Sequence, residues 1–151
     1  MELHLHVWRW FRSKMLKLHN SYSNNVEEFQ PDSSNVKVYL CGPTVQSSPH
    51  IGHGRSAVVF DFLIRYLKFI NYQVTFVRNI TDIEDKIIQR SEEEGITTEE
   101  LADRVTKEFQ KSYADLNCLL PNHEPKATES IDHIIYLIEL LIDKGYAYPT
   151  K

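Results

Sequence analysis

Cys41-Gly-Pro-Thr-Val-Gln-Ser-Ser-Pro-His50-Ile-Gly-His53-Gly-Arg55 is the stretch that decides the fold. Just upstream, Val36, Val38 and Leu40 alternate with Lys37 and Tyr39, the period-two pattern of a strand over Val36–Cys41. Gly42 and Pro43 stop it. Downstream, Val58, Val59, Phe62, Leu63, Tyr66, Leu67 and Ile70 recur at helical spacing, which predicts a helix from Ile51 to Ile70 closed by Asn71. A strand, a Pro/Gly-rich turn and a helix opening on two histidines form a layout for handling phosphates. The first N–H groups of a helix have no internal partners, and its dipole favours negative charge. His50 and His53 are three residues apart, so they share one face of the first turn. They are placed to hold a phosphate whose charge grows during reaction.

Beyond that helix, Gln73–Asn79 reads as a second strand, with Val74, Phe76 and Ile80 alternating against Thr75, Val77 and Asn79. A strand–helix–strand crossover of this length predicts parallel strands and a right-handed connection. Thr81-Asp-Ile-Glu-Asp-Lys86 reads as a helix start with acidic residues in its first turn, running to about Glu94 and stopped by Gly95. Thr97 and Glu100 fit a capping box that opens another helix through Leu101, Val105, Phe109 and Tyr113 to about Asn117. Pro121 and Pro125 mark a loop, and Thr128 begins a last helix carrying Ile131, Ile134, Ile135, Leu137, Ile138, Leu141 and Ile142, which Gly145 stops. Towards the other end, residues 16–30 predict a short hairpin around Ser21-Tyr-Ser-Asn-Asn25. Residues 1–15 mix Trp8, Trp10 and Phe11 with basic residues, lack the apolar run of a secretory signal, and read as a disordered extension.

The 151 residues bound the chain to one domain, or one domain and a tail. A formal charge of −4 argues against gripping nucleic acid by bulk electrostatics. Two distant cysteines give no disulfide framework, which fits a reducing, cytoplasmic setting. No apolar run reaches membrane-spanning length, so no membrane partner is expected. Two parallel strands do not make a stable doubly wound sheet, and the sequence stops just after an apolar helix. Residues 16–151 therefore read as the front part of a larger α/β protein.

The sequence resembles the amino-terminal part of the cysteinyl-tRNA synthetases, which are class I aminoacyl-tRNA synthetases. The likeness is carried by Tyr39-Leu-Cys41-Gly-Pro-Thr-Val45, His50-Ile-Gly-His53, Phe60-Asp61, Arg65-Tyr66-Leu67, Tyr72, Val77-Arg78-Asn79-Ile80-Thr81-Asp82-Ile-Glu-Asp85-Lys86-Ile87 and Lys144-Gly145-Tyr-Ala-Tyr148, spanning about residues 16–148. It implies an α/β, Rossmann-like class I nucleotide-binding fold, first half only, followed by helices. The implied activity is that of a cysteine–tRNA ligase. Cysteine and ATP, the latter with magnesium, give cysteinyl-adenylate and pyrophosphate, and the cysteinyl group passes to tRNA(Cys). No counterpart of the family's KMSKS loop occurs, and the anticodon-binding helices would lie beyond Lys151, so the carboxy-terminal part is a further expected partner.

By the same resemblance His50 and His53 are the catalytic pair, and with Gly52 they bind ATP, the glycine leaving room for close approach. Cys41, Gly42 and Thr81 lie at the amino acid substrate. Cys41 is one of four zinc ligands, the other three falling downstream of this sequence. Zinc binds a thiolate well and discriminates against the harder oxygen of serine. A lone Cys41 can instead be a small strand-end residue, and Thr81 a helix N-cap. Asp82, Asp85 and Asn79 read as dipole, ion-pair or supporting contacts, Arg55 as either a phosphate ligand or a carboxylate's partner, and His123 and His133 as surface or packing residues. His4 and His6 could take up adventitious metal, and Glu92-Glu93-Glu94 reads as a solvated helix end. Gln46-Ser47 departs from a Tyr-Asp pair common in the family and alters the site's mouth. Two other readings compete: a cysteine:amino-sugar ligase of mycothiol synthesis, disfavoured by Pro43-Thr-Val45 and Asp85-Lys86-Ile87, and a non-catalytic remnant that binds a nucleotide or a partner.

Overall fold

The computed structural model describes residues 16–150, in two compact units that divide after Ser34. The extension expected over residues 1–15, with His4 and His6, lies outside the described residues. In the first unit β1 (Lys17–Asn20) and β2 (Asn25–Glu28) form the expected antiparallel hairpin, with Asn20 opposite Asn25. Asn24 turns it at φ 55°, a left-handed conformation that asparagine tolerates better than most residues. The Asn20 Oδ1 accepts from the Tyr22 N–H at 3.0 Å and fixes the turn.

The second unit opens with β3 (Asn35–Leu40), α1 (Ile51–Phe69) and β4 (Gln73–Arg78). The two strands pair in parallel, Asn35 opposite Gln73 through Leu40 opposite Arg78, as the crossover length predicts. There follow α2 (Asp85–Glu94), α3 (Thr98–Asp115), a 3-10 turn (Thr128–Ser130) and α4 (Ile131–Asp143). The Thr97–Glu100 capping box is present: Thr97 Oγ1 accepts from the Glu100 N–H at 3.1 Å, and the Glu100 carboxylate accepts from the Thr97 N–H at 2.9 Å. Gly95, at φ 68°, ends α2 in the left-handed conformation that favours glycine.

Three elements differ from the sequence reading. The helix after β4 starts later than Thr81: its N-cap is Glu84, whose carboxylate accepts from the Lys86 N–H at 2.9 Å. The reason is that Asn79–Thr81 is still paired to the motif turn, with Thr81 bridging Thr44. Second, the proline-marked loop is the third track of the sheet. Val77 bridges His123 and Ile80 bridges Lys126, both in parallel, and the Ile80 N–H donates to the Pro125 carbonyl at 2.9 Å. Proline has no N–H to offer a ladder, so the segment reads as a loop in sequence while its carbonyls still serve a strand. β4 is thus central, with β3 on one side and residues 122–127 on the other.

The third difference lies in α1. It buries Ala57, Ile64 and Leu67, whereas Val58, Val59 and Phe62 are exposed. The helix is apolar on more than one side, so periodicity alone did not say which stripe faces inward. The core that does form gathers Val45, Ala57, Ile80, Ile87, Leu101, Val105, Phe109 and Tyr113, from the motif turn, the end of β4 and helices α1 to α3. No described helix is long and apolar enough to cross a membrane.

Candidate functional site

The two sequence motifs meet at the ends of β3 and β4. Beyond the regular strands the backbone stays zipped: Thr81 N–H donates to the Pro43 carbonyl and Val45 N–H to the Thr81 carbonyl, both at 3.1 Å. The Gly42 N–H donates to Asn79 Oδ1 at 2.8 Å, and Asn79 Nδ2 donates to Thr81 Oγ1 at 3.2 Å. Gly42 is needed for this approach: a Cβ there would sit 1.5 Å from the Asn79 carbonyl oxygen. The block around Asn79-Ile-Thr81 is therefore a clamp on the Cys41–Val45 turn.

That turn delivers the chain to α1, where His50 is the N-cap. Its Nδ1 accepts from the Gly52 N–H at 3.1 Å, while His53 Nδ1 accepts from the His50 N–H at 3.2 Å. The rings lie 3.9 Å apart, tilted by 32°. An imidazole nitrogen that accepts carries no proton, so these bonds assign both rings as neutral with the proton on Nε2. Burial, and then the neighbouring His50, lower the pKa of His53 below its ordinary 6.5. Its ring packs edge-on against Phe109 at 4.9 Å. Gly52 has a local reason too: a Cβ would fall 2.9 Å from the His50 ring.

A cleft of about 320 Å³ lies between these groups. Cys41, Gly42, His50 and His53 line it together; Gly52 and Thr81 are not among its lining residues. Gln46 and Ser47, read in sequence as altering the site's mouth, line it as well, and so do Arg78 and Tyr113, to which the sequence reading gave no site role. Arg78 is only 3% exposed. Its Nη2 donates to Glu124 at 2.7 Å, and its guanidinium lies 4.2 Å over the Tyr113 ring. Glu124 also accepts from Gln110 Nε2 at 2.8 Å, so the third sheet track and α3 jointly fix the arginine. Burial raises the Tyr113 phenol's pKa, partly offset by Arg78. A cation one residue before the Asn-Ile-Thr block was a usable signal, but its carboxylate partner is 46 residues away.

The remaining candidates serve the frame. Asp61 accepts from the Leu119 N–H at 2.8 Å and pairs with Arg65, tying α1 to the end of α3. Asp82 accepts from the Thr128 N–H at 3.0 Å and holds the entrance to α4. Asp85 stands in the first turn of α2. His123 contributes its backbone carbonyl to Arg78. For zinc, four-coordinate N/S ligation is usual. No group of three or more His, Cys, Asp or Glu able to hold a metal occurs among the described residues, so Cys41 does not make a site with its described neighbours.

A parallel strand–helix–strand unit with a histidine-capped helix at the strand ends is a Rossmann-like arrangement. Residues 28–151 match the family described as tRNA synthetases class I (C) catalytic domain, and the chain belongs to that family. Among curated relatives, it is 53% identical over 134 residues to the cysteine--tRNA ligase of Rickettsia massiliae, covering 87% of this chain and 29% of the relative. It is 49% identical over 138 residues to that of Wolbachia pipientis subsp. Culex pipiens, with 91% and 30% covered. The cysteine--tRNA ligase of Desulfotalea psychrophila is 47% identical over 136 residues, with 89% and 28% covered. The chain thus spans about three-tenths of the length of these relatives.

Proposed function

We propose that the cleft is part of the cysteine-activating centre of a cysteine–tRNA ligase, with ATP, cysteine and tRNA(Cys) as substrates and a cytoplasmic setting in which Cys41 and Cys118 remain thiols. One observation carries the reading: the Cys41-Gly42 wall and the His50/His53 helix start line a single cleft, in a chain about half identical to proteins of that name. In the activating step a carboxylate oxygen of cysteine bonds to the α-phosphorus of ATP, and the bond from that phosphorus to pyrophosphate breaks. Negative charge grows on the α-phosphate oxygens. His50 and His53, both neutral, serve as Nε2–H donors to those oxygens, held in place because their Nδ1 atoms are already engaged by the backbone. Gly52 permits the His50 cap; Gly42 and the Thr81 clamp hold the wall that carries Cys41. Cys41 faces the substrate side in this reading. Zinc, when bound by Cys41 with ligands from elsewhere, would supply thiol recognition, and magnesium would accompany ATP.

The test is a titration of the folded chain with ATP and magnesium, followed through backbone amide signals. The expected outcome is movement of the His50, Gly52 and His53 signals, weakened about tenfold or more in a His50→Asn, His53→Asn variant. Asparagine is itself a good N-cap, so this variant removes the Nε2–H groups while keeping the helix start. Unmoved signals in the wild-type chain, or equal binding by the variant, sink the reading.

A further inference from the structure

Arg78 lines the cleft yet is almost entirely buried, and its charge is held by partners that reach well beyond the cleft. A buried ion pair is weak evidence for stability, because apolar side chains of the same volume often serve as well. What such a pair does supply is direction. Arg78 Nε and Nη2 both donate to Glu124 Oε1, at 3.2 and 2.7 Å, and Glu124 Oε2 accepts from Gln110 Nε2 on α3 at 2.8 Å. The same guanidinium stands 4.2 Å over the ring of Tyr113, also on α3. Two directional contacts therefore set how α3 is placed against the end of β4. Lys126 and Asp103 tie the same sheet track to an earlier turn of α3, but that pair is partly open to solvent, and such pairs contribute little.

Phe109 is one turn back from Tyr113, so the two rings share a face of α3, and they lie 5.8 Å apart. Phe109 in turn meets His53 edge-on at 4.9 Å. Phe109 and Tyr113 are both buried, so the path from Arg78 to His53 runs through close-packed side chains. The His53 ring accepts the His50 N–H at 3.2 Å, a bond at the long end of the range, which a small displacement of the ring would break. We propose that Arg78 is a positioning residue for the histidine pair: acting through Tyr113 and Phe109, it holds the His53 ring so that Nδ1 stays on the His50 N–H and Nε2–H is left for a ligand. The use of that orientation in catalysis rests on the ligase reading above; the coupling itself does not.

The experiment reads the His53 imidazole nitrogens by NMR at a pH where the ring is neutral. It compares the wild-type chain, Arg78→Met, Arg78→Lys, Tyr113→Leu and Leu67→Ala, with thermal unfolding as the check that each is folded. The wild type should show two well-separated nitrogen signals, a protonated Nε2 and a bare Nδ1. Arg78→Met keeps the length of the side chain and loses the charge. Its two signals should draw together as the tautomers mix, and magnesium-ATP binding should weaken about three- to tenfold, the range for one hydrogen bond. Tyr113→Leu should do the same with the Arg78–Glu124 pair intact, and Arg78→Lys, which keeps a cation beside the ring, should recover part of the separation. Leu67→Ala removes a buried side chain at the far end of α1 and measures general destabilisation; it should leave the His53 signals apart. If folded Arg78→Met keeps the wild-type separation, or Leu67→Ala loses it equally, Arg78 is a structural ion pair only, and the proposal falls while the ligase reading stands. Wild-type signals that already coincide sink it outright. Where Arg78→Met does not fold, Tyr113→Leu and Arg78→Lys decide by the same signals. If the wild type binds no magnesium-ATP, the ligase reading fails, and the His53 signals still decide the coupling.

Discussion

α1 and α4 look alike in sequence and are used in opposite ways. Each is a run of apolar residues at helical spacing beside a glycine- or proline-marked turn. α1 buries Ala57, Ile64 and Leu67 against the sheet and α3, and its first turn holds the histidines of the cleft. α4 buries no residue at all: Ile131, Ile134, Ile135, Tyr136, Leu137, Ile138 and Ile142 are each 40–66% exposed. Hydrophobic periodicity therefore states that a face is suited to burial, and says nothing of what covers it. The difference also separates stability from function here. The cleft depends on the α1–α3 core through Phe109, which touches His53, whereas among the described residues α4 packs chiefly on the 3-10 turn at its own start.

Truncating one side chain on each side of this divide should give the largest contrast in stability. Phe109→Ala removes a ring that is 2% exposed and at the centre of the core, and should destabilise the chain by about 3–5 kcal/mol. Ile138→Ala on α4 should change stability by no more than about 0.5 kcal/mol, because the side chain it shortens is already half in water. Urea denaturation of both variants reads the difference. Equal losses would mean that α4 is packed in solution, and the contrast between the helices would disappear.

How much was legible in the sequence follows from the range of the interactions. Local patterns were sufficient for the hairpin, the parallel β3–α1–β4 unit, the Thr97–Glu100 cap and the pairing of His50 with His53 on one helix turn, whereas Cys41 and Gly42 came in as site residues through the family resemblance. The third sheet track was hidden because Pro121 and Pro125 spell a loop, while the pairing uses carbonyls that no side-chain pattern reveals. Arg78 was hidden because Glu124 is remote in sequence. The start of α2 was misplaced because Thr81 is a plausible cap whose backbone was already claimed by the turn.

The glycines sharpen the same distinction at a finer scale. Gly42→Ala drives a methyl into the Asn79 carbonyl, backbone against backbone, and should cost about 3 kcal/mol with loss of the clamp. Gly52→Ala meets only the His50 ring, which can rotate away. Alanine gains about 1 kcal/mol of helix propensity there, and loss of the His50 cap removes about as much, so the net change should be within about 0.5 kcal/mol. The displaced ring should nevertheless lose its fixed tautomer, visible as averaging of the His50 imidazole nitrogen shifts. A large stability loss in Gly52→Ala would show that the cap, and not the clamp, organises the turn.

The smallest expected effect is the most specific to the histidine pair. The folded-state pKa of His53 lies below 6.5, so near and below that pH the unfolded chain binds more protons than the folded one. Stability from this group is therefore fully present above about pH 6.5 and declines as pH falls towards the folded pKa. The structural cause is visible: a proton on Nδ1 would end its acceptance of the His50 N–H, and would place charge 3.9 Å from a second imidazole in a partly buried setting. A His53→Asn variant should flatten that part of the stability–pH curve while leaving the carboxylate-dependent fall at lower pH in place, where Glu100 and Asp103 have lowered pKa values. If the variant and wild-type curves run parallel from pH 7 down to 5, His53 is not held neutral by the fold, and its role as an Nε2–H donor loses its physical basis.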